Sequence, residues 1–548
     1  MKWFKNLYFV LSFVSFFVWV DFCFKGYSFM FNLEIYTSSF FSLHVPFLLD
    51  WMGLSVVFLV NLICACVFGF SLCYLGGEDK KLLLLISSFV FGMWVICLIP
   101  SLAALMVGWD ILGMVSYKLI VHYPSDKSLS AGNFTVFSNR VGDAALILAV
   151  SLVLCGGNSL WLQELDKFLV IGLVFLAAMT KSASYPFMAW LPEAMAAPTP
   201  VSALVHSSTL VTAGILVLTR FSAWGQLNND TLFYLGMYMC FLSGASAMFE
   251  WDVKKVVALS TLSQLGVMFL ALGVSMPVLA FFHLCTHACF KALLFITVGV
   301  LIKYHHHCQD LRFLSYCFKH SMFTCTSMML SCFALCGLPF LSGFFSKDLI
   351  YDKLISMNLG VVTFFFLYVS FGLTSAYSLK LFKSLFMKND FFVIFASPKS
   401  EPWLEMGILT VMSIIFGGMF WFWVLEVLGE SILKWELKLV GGLAWCFGFV
   451  VVFLMKENQE SKFLGTLGYL SSVSKQPLMS GACYVSSKVL KVVDLGSIEK
   501  VMGQGQLSNL KGFFSFFFSW QAVDWTKSFF FLSRLFFLMV LLFLFFRF

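Results

Sequence analysis

Long uninterrupted apolar runs fill this chain and constrain its fold more than any other feature. A membrane-spanning helix needs about 20 mostly apolar residues to cross a hydrocarbon core of about 30 Å, and runs of this kind recur over residues 4–546. The composition agrees, with 60% hydrophobic residues, 11% charged residues and a mean hydropathy of +0.91. Because backbone polar groups in lipid must be bonded within the chain, these segments are predicted to be helices.

The other architecture that can span a membrane, the β-barrel, is not indicated. Its strands would alternate apolar and polar residues over segments of about ten residues, whereas the runs at 82–99, 232–249 and 361–371 do not alternate. We therefore predict an all-α polytopic membrane protein with about fifteen or sixteen transmembrane helices by the length rule. The net charge of +7 is scattered over span ends, which is typical of interfacial anchoring and predicts no nucleic-acid partner.

Cysteine and histidine patterns do not predict a metal centre. Several of the sixteen cysteines, such as Cys64, Cys66, Cys285 and Cys289, lie in apolar runs, where cysteine behaves as a small hydrophobe. The chain has no paired CxxC set, and the run 305–307 of three histidines lies in a polar gap. With no P-loop and no GxGxxG after a strand, we expect no metal or cofactor bound by this chain itself.

Three regions follow from the distribution of charge. Residues 1–95 hold the first predicted helices, 96–390 carry nearly every ionisable group inside an apolar run, and 391–548 end in an apolar run at 529–546 that predicts a last anchoring span. A polar stretch before it has apolar residues at helical spacing: Val485, Val489, Val492, Leu495, Ile498 and Val501. This pattern predicts an amphipathic helix lying along the protein surface. The alternative is a linker, because two glycines interrupt the pattern.

Two breaks rich in proline and glycine interrupt the central region. The first runs from Lys181 through Pro186 to Pro200, and the second from Gly337 to Asp348. Such breaks free backbone groups, which is tolerated only where protein or a wet cavity surrounds them. Paired interrupted helices in two halves are typical of transporters with inverted repeats, and we predict that arrangement here.

Ionisable residues inside apolar runs are the strongest indication of function. A charge at the bilayer centre costs about 2.5–3.5 kcal/mol on insertion scales, so such residues are rare and usually functional. Eight occur here: Asp110, Lys181, His206, His283, His287, Lys291, Lys347 and Asp348. Most of these groups can hold and release protons, and together they predict a proton path through a helical bundle.

Lys181 and the groups nearest to it define one end of that path. A lysine in low dielectric is biased toward its neutral form, and a nearby carboxylate favours the charged form. We predict that Asp110 is this carboxylate. The alternatives are a static ion pair or a lysine that extends to the interface. His206 is suited to relay protons near neutral pH, although a lone histidine can also be a structural residue.

His283, His287 and Lys291 form the sharpest local pattern. Their spacing of i, i+4 and i+8 places them on one face of a helix, over about 12 Å of its length. We interpret them as a proton wire. Zinc binding by the two histidines is the alternative, but no glutamate follows His283 and Lys291 would repel a cation. Lys347 and Asp348 point in different directions on a helix, so they are not expected to form an ion pair with each other. The alternative for Lys347 is a charge at a helix end near the membrane interface.

Eight motifs carry a resemblance to a known family: 108–117 (GWDILGMVSY), 138–143, 179–183, 190–206, 252–255, 259–264, 287–295 and 343–348. They resemble the antiporter-like subunits of respiratory complex I, with the strong resemblance covering about residues 100–350. The long C-terminal tail is similar to one of these subunits and not to its shorter relatives.

The resemblance implies roles for individual residues. Asp110 stands where the family has a glutamate that pairs with the broken-helix lysine, here Lys181. The central hydrophilic axis of the family passes through four of the residues singled out above: His206, His283, His287 and Lys291. Lys347 matches the lysine on the exit side, while Arg140 and Asp143 match a motif near the neighbouring antiporter-like subunit. Asp110 is one methylene shorter than glutamate, and Lys118 stands where the family is usually neutral.

The resemblance also implies partners and a compartment. The chain is expected to be a subunit of an H⁺-translocating NADH:ubiquinone reductase of the mitochondrial inner membrane, next to the antiporter-like chain 4. NAD, FMN, iron–sulfur clusters and ubiquinone are then bound by partner subunits. The composition fits a mitochondrial gene on a T/G-rich strand, since Phe (68) and Trp (16) are abundant while Pro (12) and His (9) are scarce. The alternatives are the large subunit of a multisubunit sodium/proton antiporter and a structural scaffold with static ion pairs.

Overall fold

The computed structural model describes most of the chain, in two compact units, 1–471 and 472–548. The described residues are 2–37, 42–76, 79–155, 168–222, 229–314, 321–357, 360–386, 402–428, 435–454, 462–492, 497, 504–520 and 534–535. Apart from 534–535, the predicted last span at 529–546 lies outside them. So do three residues of the predicted amphipathic helix: Leu495, Ile498 and Val501. The region boundaries at residues 95 and 390 stay predictions.

Helices make up nearly all of the described chain. In order, the elements are α1 (Lys2–Lys25), β1 (Phe29–Thr37), β2 (Ser42–Leu49), α2 (Trp51–Leu75), α3 (Lys80–Leu98), α4 (Leu102–Ile120), α5 (Asp126–Cys155), α6 (Phe168–Lys181), α7 (Trp190–Glu193), α8 (Thr199–Leu204), α9 (Leu210–Ser222), α10 (Asn229–Phe249), α11 (Val253–Gly273), α12 (Pro277–Tyr304), α13 (Met322–Cys336), α14 (Ser342–Ser356), α15 (Val361–Phe386), α16 (Trp403–Leu428), α17 (Trp435–Leu454), α18 (Lys462–Gly465), α19 (Leu470–Val489) and α20 (Gln504–Trp520). A π-helical segment, Val205–Thr209, joins α8 to α9.

The prediction of an all-α polytopic membrane protein is confirmed. Eleven helices in the described ranges are long and apolar enough to cross a membrane, and three shorter apolar helices accompany them, in α6, α13 and α17. The predicted number of fifteen or sixteen is higher. Part of the difference has a physical reason, because the two predicted breaks end α6 at Lys181 and α13 at Cys336 and leave helices below spanning length.

A two-stranded antiparallel hairpin between α1 and α2 was not predicted. β1 pairs with β2 from Phe29 opposite Leu49 to Thr37 opposite Ser42. Apolar and polar residues alternate at the centre of β1, from Phe31 to Glu34, which is the period of a strand. The alternation covers only four residues, so it was missed by a criterion based on long apolar runs.

The centre of the first unit is built around α12. This helix is buried along almost its whole length and packs against α2, α8, α9, α11, α13, α14 and α16. A helix that is apolar on all sides is expected to lie inside a bundle. The ionisable groups of α12 are therefore enclosed by other helices and not presented to lipid.

Close helix packing depends on glycine where α10 crosses α11. A Cβ atom at Gly236 would lie 2.7 Å from the Leu270 nitrogen and 2.8 Å from the Gly266 oxygen, and one at Gly266 would lie 2.9 Å from the Gly236 oxygen. Small residues let membrane helices approach this closely. The register of α10 on α11 therefore requires both glycines.

We expect Gly266→Val to separate α10 from α11 and to destabilise the protein by about 1–3 kcal/mol, the usual cost of overpacking. The measurement is the thermal unfolding midpoint of the purified protein in detergent, followed by tryptophan fluorescence. The matched control is Gly172→Val in α6, because a Cβ atom there meets nothing within 4 Å. Equal midpoints for the two variants would show that the close approach is not needed.

Candidate functional site

The first break places a lysine inside the protein at the end of α6. Lys181 is fully buried, and its ammonium donates a hydrogen bond to the Trp109 carbonyl at 3.2 Å. The same ammonium lies 5.4 Å from the centre of the Trp109 ring, within the range of a cation–π interaction. The charge is thus held by a carbonyl dipole and an aromatic face.

Asp110, the carboxylate predicted to lie near Lys181, makes its direct ion pair with another residue of the described chain. The Asp110 carboxylate accepts a hydrogen bond from Arg140 at 3.2 Å, and Arg140 also pairs with Asp143 at 3.1 Å. The Asp143 side chain is 10% exposed and that of Asp110 42% exposed, and both carboxylates lie within electrostatic range of the Lys181 ammonium. Arg140 on α5 therefore bridges the two carboxylates.

Arg140 and Asp143, which the resemblance places at a subunit contact, therefore also belong to the surroundings of Lys181. Spacing along the sequence could not show this, because the four groups lie on three different helices, α4, α5 and α6, and meet only when these helices pack together. The four are Asp110, Arg140, Asp143 and Lys181. They form a short series that runs from the exposed face of α4 and α5 to the buried end of α6.

His206 lies in the π-helical segment between α8 and α9. π-Helical turns within α-helices are often found at functional sites. The His206 ring is buried, with its centre 6.2 Å from that of Trp190. Neither ring nitrogen has a hydrogen-bond partner among the described residues. The sequence predicted the histidine in a span but not the change in helix type that sets its direction.

The face of α12 that carries His283, His287 and Lys291 is fully buried. The two imidazole ring centres lie 6.4 Å apart, as the spacing predicts for one helix face. Lys291 donates a hydrogen bond to the Ser260 hydroxyl of α11. His287 has no hydrogen-bond partner on either ring nitrogen within the described part of the chain.

Two side chains from other helices form hydrogen bonds with His283, and a third fixes one of these two. The Nδ1 atom of His283 lies 2.8 Å from the Ser346 hydroxyl of α14, and its Nε2 atom lies 3.2 Å from the Gln264 side-chain oxygen of α11. The Gln264 amide in turn donates to the Tyr377 hydroxyl of α15 at 3.1 Å. Gln264 belongs to a motif used for the resemblance, whereas Tyr377 lies in an apolar run without any signal of its own.

The second break places Lys347 near the end of α13. Gly337 ends that helix in a left-handed conformation with φ of 86°, and the buried Lys347 ammonium donates to the Leu335 carbonyl. A helix C-terminus favours a cation. Lys347 is therefore buried inside the protein, with 4% of its surface exposed. Asp348 follows it and is half-buried.

The arrangement is suited to moving protons. Lys181, His206, Lys291 and Lys347 lie on four different elements: α6, the π-helical segment, α12 and α14. His283 and His287 share the α12 face with Lys291. A cation bound by neutral carbonyl or hydroxyl oxygens can lose its proton without leaving a charged partner behind. Among the described residues, no group of three or more His, Cys, Asp or Glu could hold a metal ion.

Comparison with known proteins gives consistent similarities. The profile of the NADH:quinone oxidoreductase/Mrp antiporter transmembrane family matches residues 100–374. The chain is similar to NADH-ubiquinone oxidoreductase chain 5 of Aedes aegypti, with 38% identity over 92% of each chain. It is also similar to chain 5 of Locusta migratoria, with 36% identity over 86% of each chain.

Two solved structures share the fold. One is the Mrp complex from Dietzia sp. DQ12-45-1b, with a TM-score of 0.72 and 23% identity over 91% of this chain and 60% of that chain. The other is the membrane-bound sulfane sulfur reductase, an archaeal respiratory membrane complex, with a TM-score of 0.67 and 17% identity over 82% of this chain and 93% of that chain.

We expect Arg140→Met to destabilise the protein, because it leaves two neighbouring carboxylates without a cation in a membrane-spanning region. The thermal unfolding midpoint in detergent should fall by more than in Arg312→Met. That control breaks the pair of Arg312 with Asp310 in a surface loop, where an exposed ion pair is worth about 0–1 kcal/mol. A midpoint as high as that of the control would contradict the importance of the Asp110–Arg140–Asp143 group.

Proposed function

The chain belongs to the NADH-ubiquinone oxidoreductase chain 5 family, and on that premise we propose that it translocates protons along the buried basic groups described above. It is a core membrane subunit of complex I, the H⁺-translocating NADH:ubiquinone reductase. We place it in the inner mitochondrial membrane. The observation that carries the proposal is the buried series from Lys181 through α12 to Lys347.

The two broken helices are proposed to be the ends of the path. Lys181 lies at the end of α6 and Lys347 near the end of α13, and each donates to a backbone carbonyl and not to a carboxylate. His206 and the α12 residues lie between them in our ordering. Protons are proposed to pass from Lys181 by way of His206 and Lys291 to Lys347, with His283 and His287 as intermediate acceptors.

The Asp110–Arg140–Asp143 group is proposed to control Lys181. Arg140 contacts both carboxylates. A small shift of its guanidinium toward Asp110 would weaken its pair with Asp143, and Asp143 would then stabilise the protonated form of Lys181. A shift toward Asp143 has the opposite effect. Lys181 would then take up a proton in one position of Arg140 and release it in the other.

A neighbouring subunit is proposed to supply the force for that shift. The Asp110 and Arg140 side chains are 42% and 43% exposed among apolar exposed neighbours such as Phe137 and Val107. A charged pair facing lipid is costly, which favours a protein partner over this face of α4 and α5. We assign that partner as the antiporter-like chain 4.

The energy comes from electron transfer in other subunits. NAD, FMN, iron–sulfur clusters and ubiquinone are proposed to be bound there, and this chain carries no redox centre of its own. Moving one charge against 100 mV requires about 2.3 kcal/mol. The coupling must therefore reach this chain through its contacts with the rest of the complex.

The second candidate is the large subunit of a sodium/proton antiporter. The observation that favours it is the shared fold with the Mrp complex chain, at a TM-score of 0.72. The 38% identity to a chain 5 protein over 92% of both chains favours complex I more strongly. A static scaffold is the third possibility, in which the charges never change protonation.

We expect Lys181→Ala to abolish the proton pumping that depends on this chain while leaving the complex assembled, because the variant removes the first proton-holding group. The proton-to-electron ratio is measured in vesicles supplied with NADH and ubiquinone, and assembly by native electrophoresis. Lys255→Ala is the control, since Lys255 is an exposed lysine paired with Asp252 at the start of α11. A normal ratio in Lys181→Ala would exclude the role, and pumping retained after neutralising both Lys181 and Lys291 would favour the scaffold.

We further expect this chain to migrate with NADH:ubiquinone activity when membranes are gently solubilised and native complexes are separated. The complex I assignment requires one particle of many subunits that contains both. Migration apart from that activity, together with sodium-dependent proton exchange in reconstituted vesicles, would favour the antiporter instead.

A further inference from the structure

An open cavity of about 390 Å³ lies where several helices end together. It is surrounded by the ends of α2, α4 and α12 and by the beginnings of α8 and α11. Polar groups on its wall come from Tyr74, Tyr123, Lys254 and His307. Because it lies at helix ends, the cavity is at the level of the membrane surface and not among the groups of the proton path.

Lys254 gives this cavity a buried positive charge. Its side chain is only 6% exposed, and its ammonium makes one hydrogen bond, to the Ala197 carbonyl at 3.2 Å. A lysine ammonium has three donors, so it has capacity for further acceptors. Lys254 also lies in the first turn of α11, where the helix dipole is positive and already favours an anion.

The carboxylates near the cavity do not neutralise Lys254. Two aspartates at the beginning of α11 and in the loop after α12 have their own basic partners, in the pairs Asp252 with Lys255 and Asp310 with Arg312. No ion pair of Lys254 occurs within the described ranges. A second cation, Lys303, donates to the Cys73 carbonyl beside Tyr74. Lys303 thus adds a second cation next to a tyrosine of the cavity wall.

We propose that this cavity binds a phosphate group, with Lys254 as its buried cation and the hydroxyls of Tyr74 and Tyr123 and the ring of His307 as further donors. The volume is within the range of about 300–1,000 Å³ of ligand pockets. Basic pockets between transmembrane helices bind lipid head groups, and free inorganic phosphate offers the same chemistry.

A bound phosphate would also join two elements of the fold. Lys254 bonds to Ala197, which directly precedes Pro198 and the beginning of α8 at the end of the first break. A ligand on Lys254 would therefore hold the start of α11 against the segment that leads to His206. The site lies outside the proton path proposed above and does not depend on it.

The first experiment uses the intact wild-type complex and a photoreactive phosphatidylglycerol, with photoreactive phosphatidylcholine as the zwitterionic comparison. We expect the anionic lipid to label the peptides that contain Tyr74, Tyr123 and His307 well above the zwitterionic one. In parallel, binding of radiolabelled inorganic phosphate to the lipid-depleted complex is measured. Specific lipid labelling assigns a headgroup site, and saturable phosphate binding without it assigns a free-phosphate site.

Variants then test the residues. Lys254→Met should reduce the signal in the positive arm at least about tenfold, as expected for loss of a charge-assisted hydrogen bond, while Lys254→Arg retains it. Tyr123→Phe keeps the cation and should weaken binding by a smaller factor. It replaces Lys254→Met as the test if the Lys254→Met complex does not assemble. Two results would overturn the proposal. One is a wild-type complex that shows no specific lipid labelling and no phosphate binding, and the other is unchanged binding in an assembled Lys254→Met complex.

Discussion

The cost of a charge in hydrocarbon governs the rest of this structure. Lys181, Lys291 and Lys347 are fully or almost fully buried, and each bonds to a neutral oxygen: the Trp109 carbonyl, the Ser260 hydroxyl and the Leu335 carbonyl, respectively. A buried ion pair would hold a lysine in its charged form, because removing one charge leaves its partner unpaired. Neutral oxygens stabilise the cation without that penalty, which is the property a proton carrier needs.

The breaks in the helices supply part of this environment. Leu335 lies in the last turn of α13, where carbonyl groups have no partner within the helix, and the left-handed Gly337 ends the helix there. Lys181 occupies the last position of α6, and the next long helix is α9, which α8 and the π-helical segment precede. The same interruptions that shorten two membrane helices thus position two of the lysines.

The sequence analysis succeeded where the signal lies within one segment. The helical membrane class, both breaks and the common face of His283, His287 and Lys291 agree with the structure, because each depends on composition or helical period alone. The predicted number of spans is higher than the eleven found in the described ranges. The prediction was incomplete for Asp110, which was assigned to Lys181 and whose direct ion pair is with Arg140. Pairing between helices depends on their crossing and rotation, and neither can be read from a single sequence.

By itself, the sequence determined the membrane environment, the helical class, the positions of the breaks and the types of ionisable group that they carry. These follow from the cost of exposing polar backbone or charge to lipid, which every residue in a span meets regardless of its neighbours. Only the tertiary structure decided that Ser346 and Gln264 hold His283 and that an open cavity forms beside Lys254. Those contacts join helices that are far apart along the chain, so they exist only once the bundle has packed.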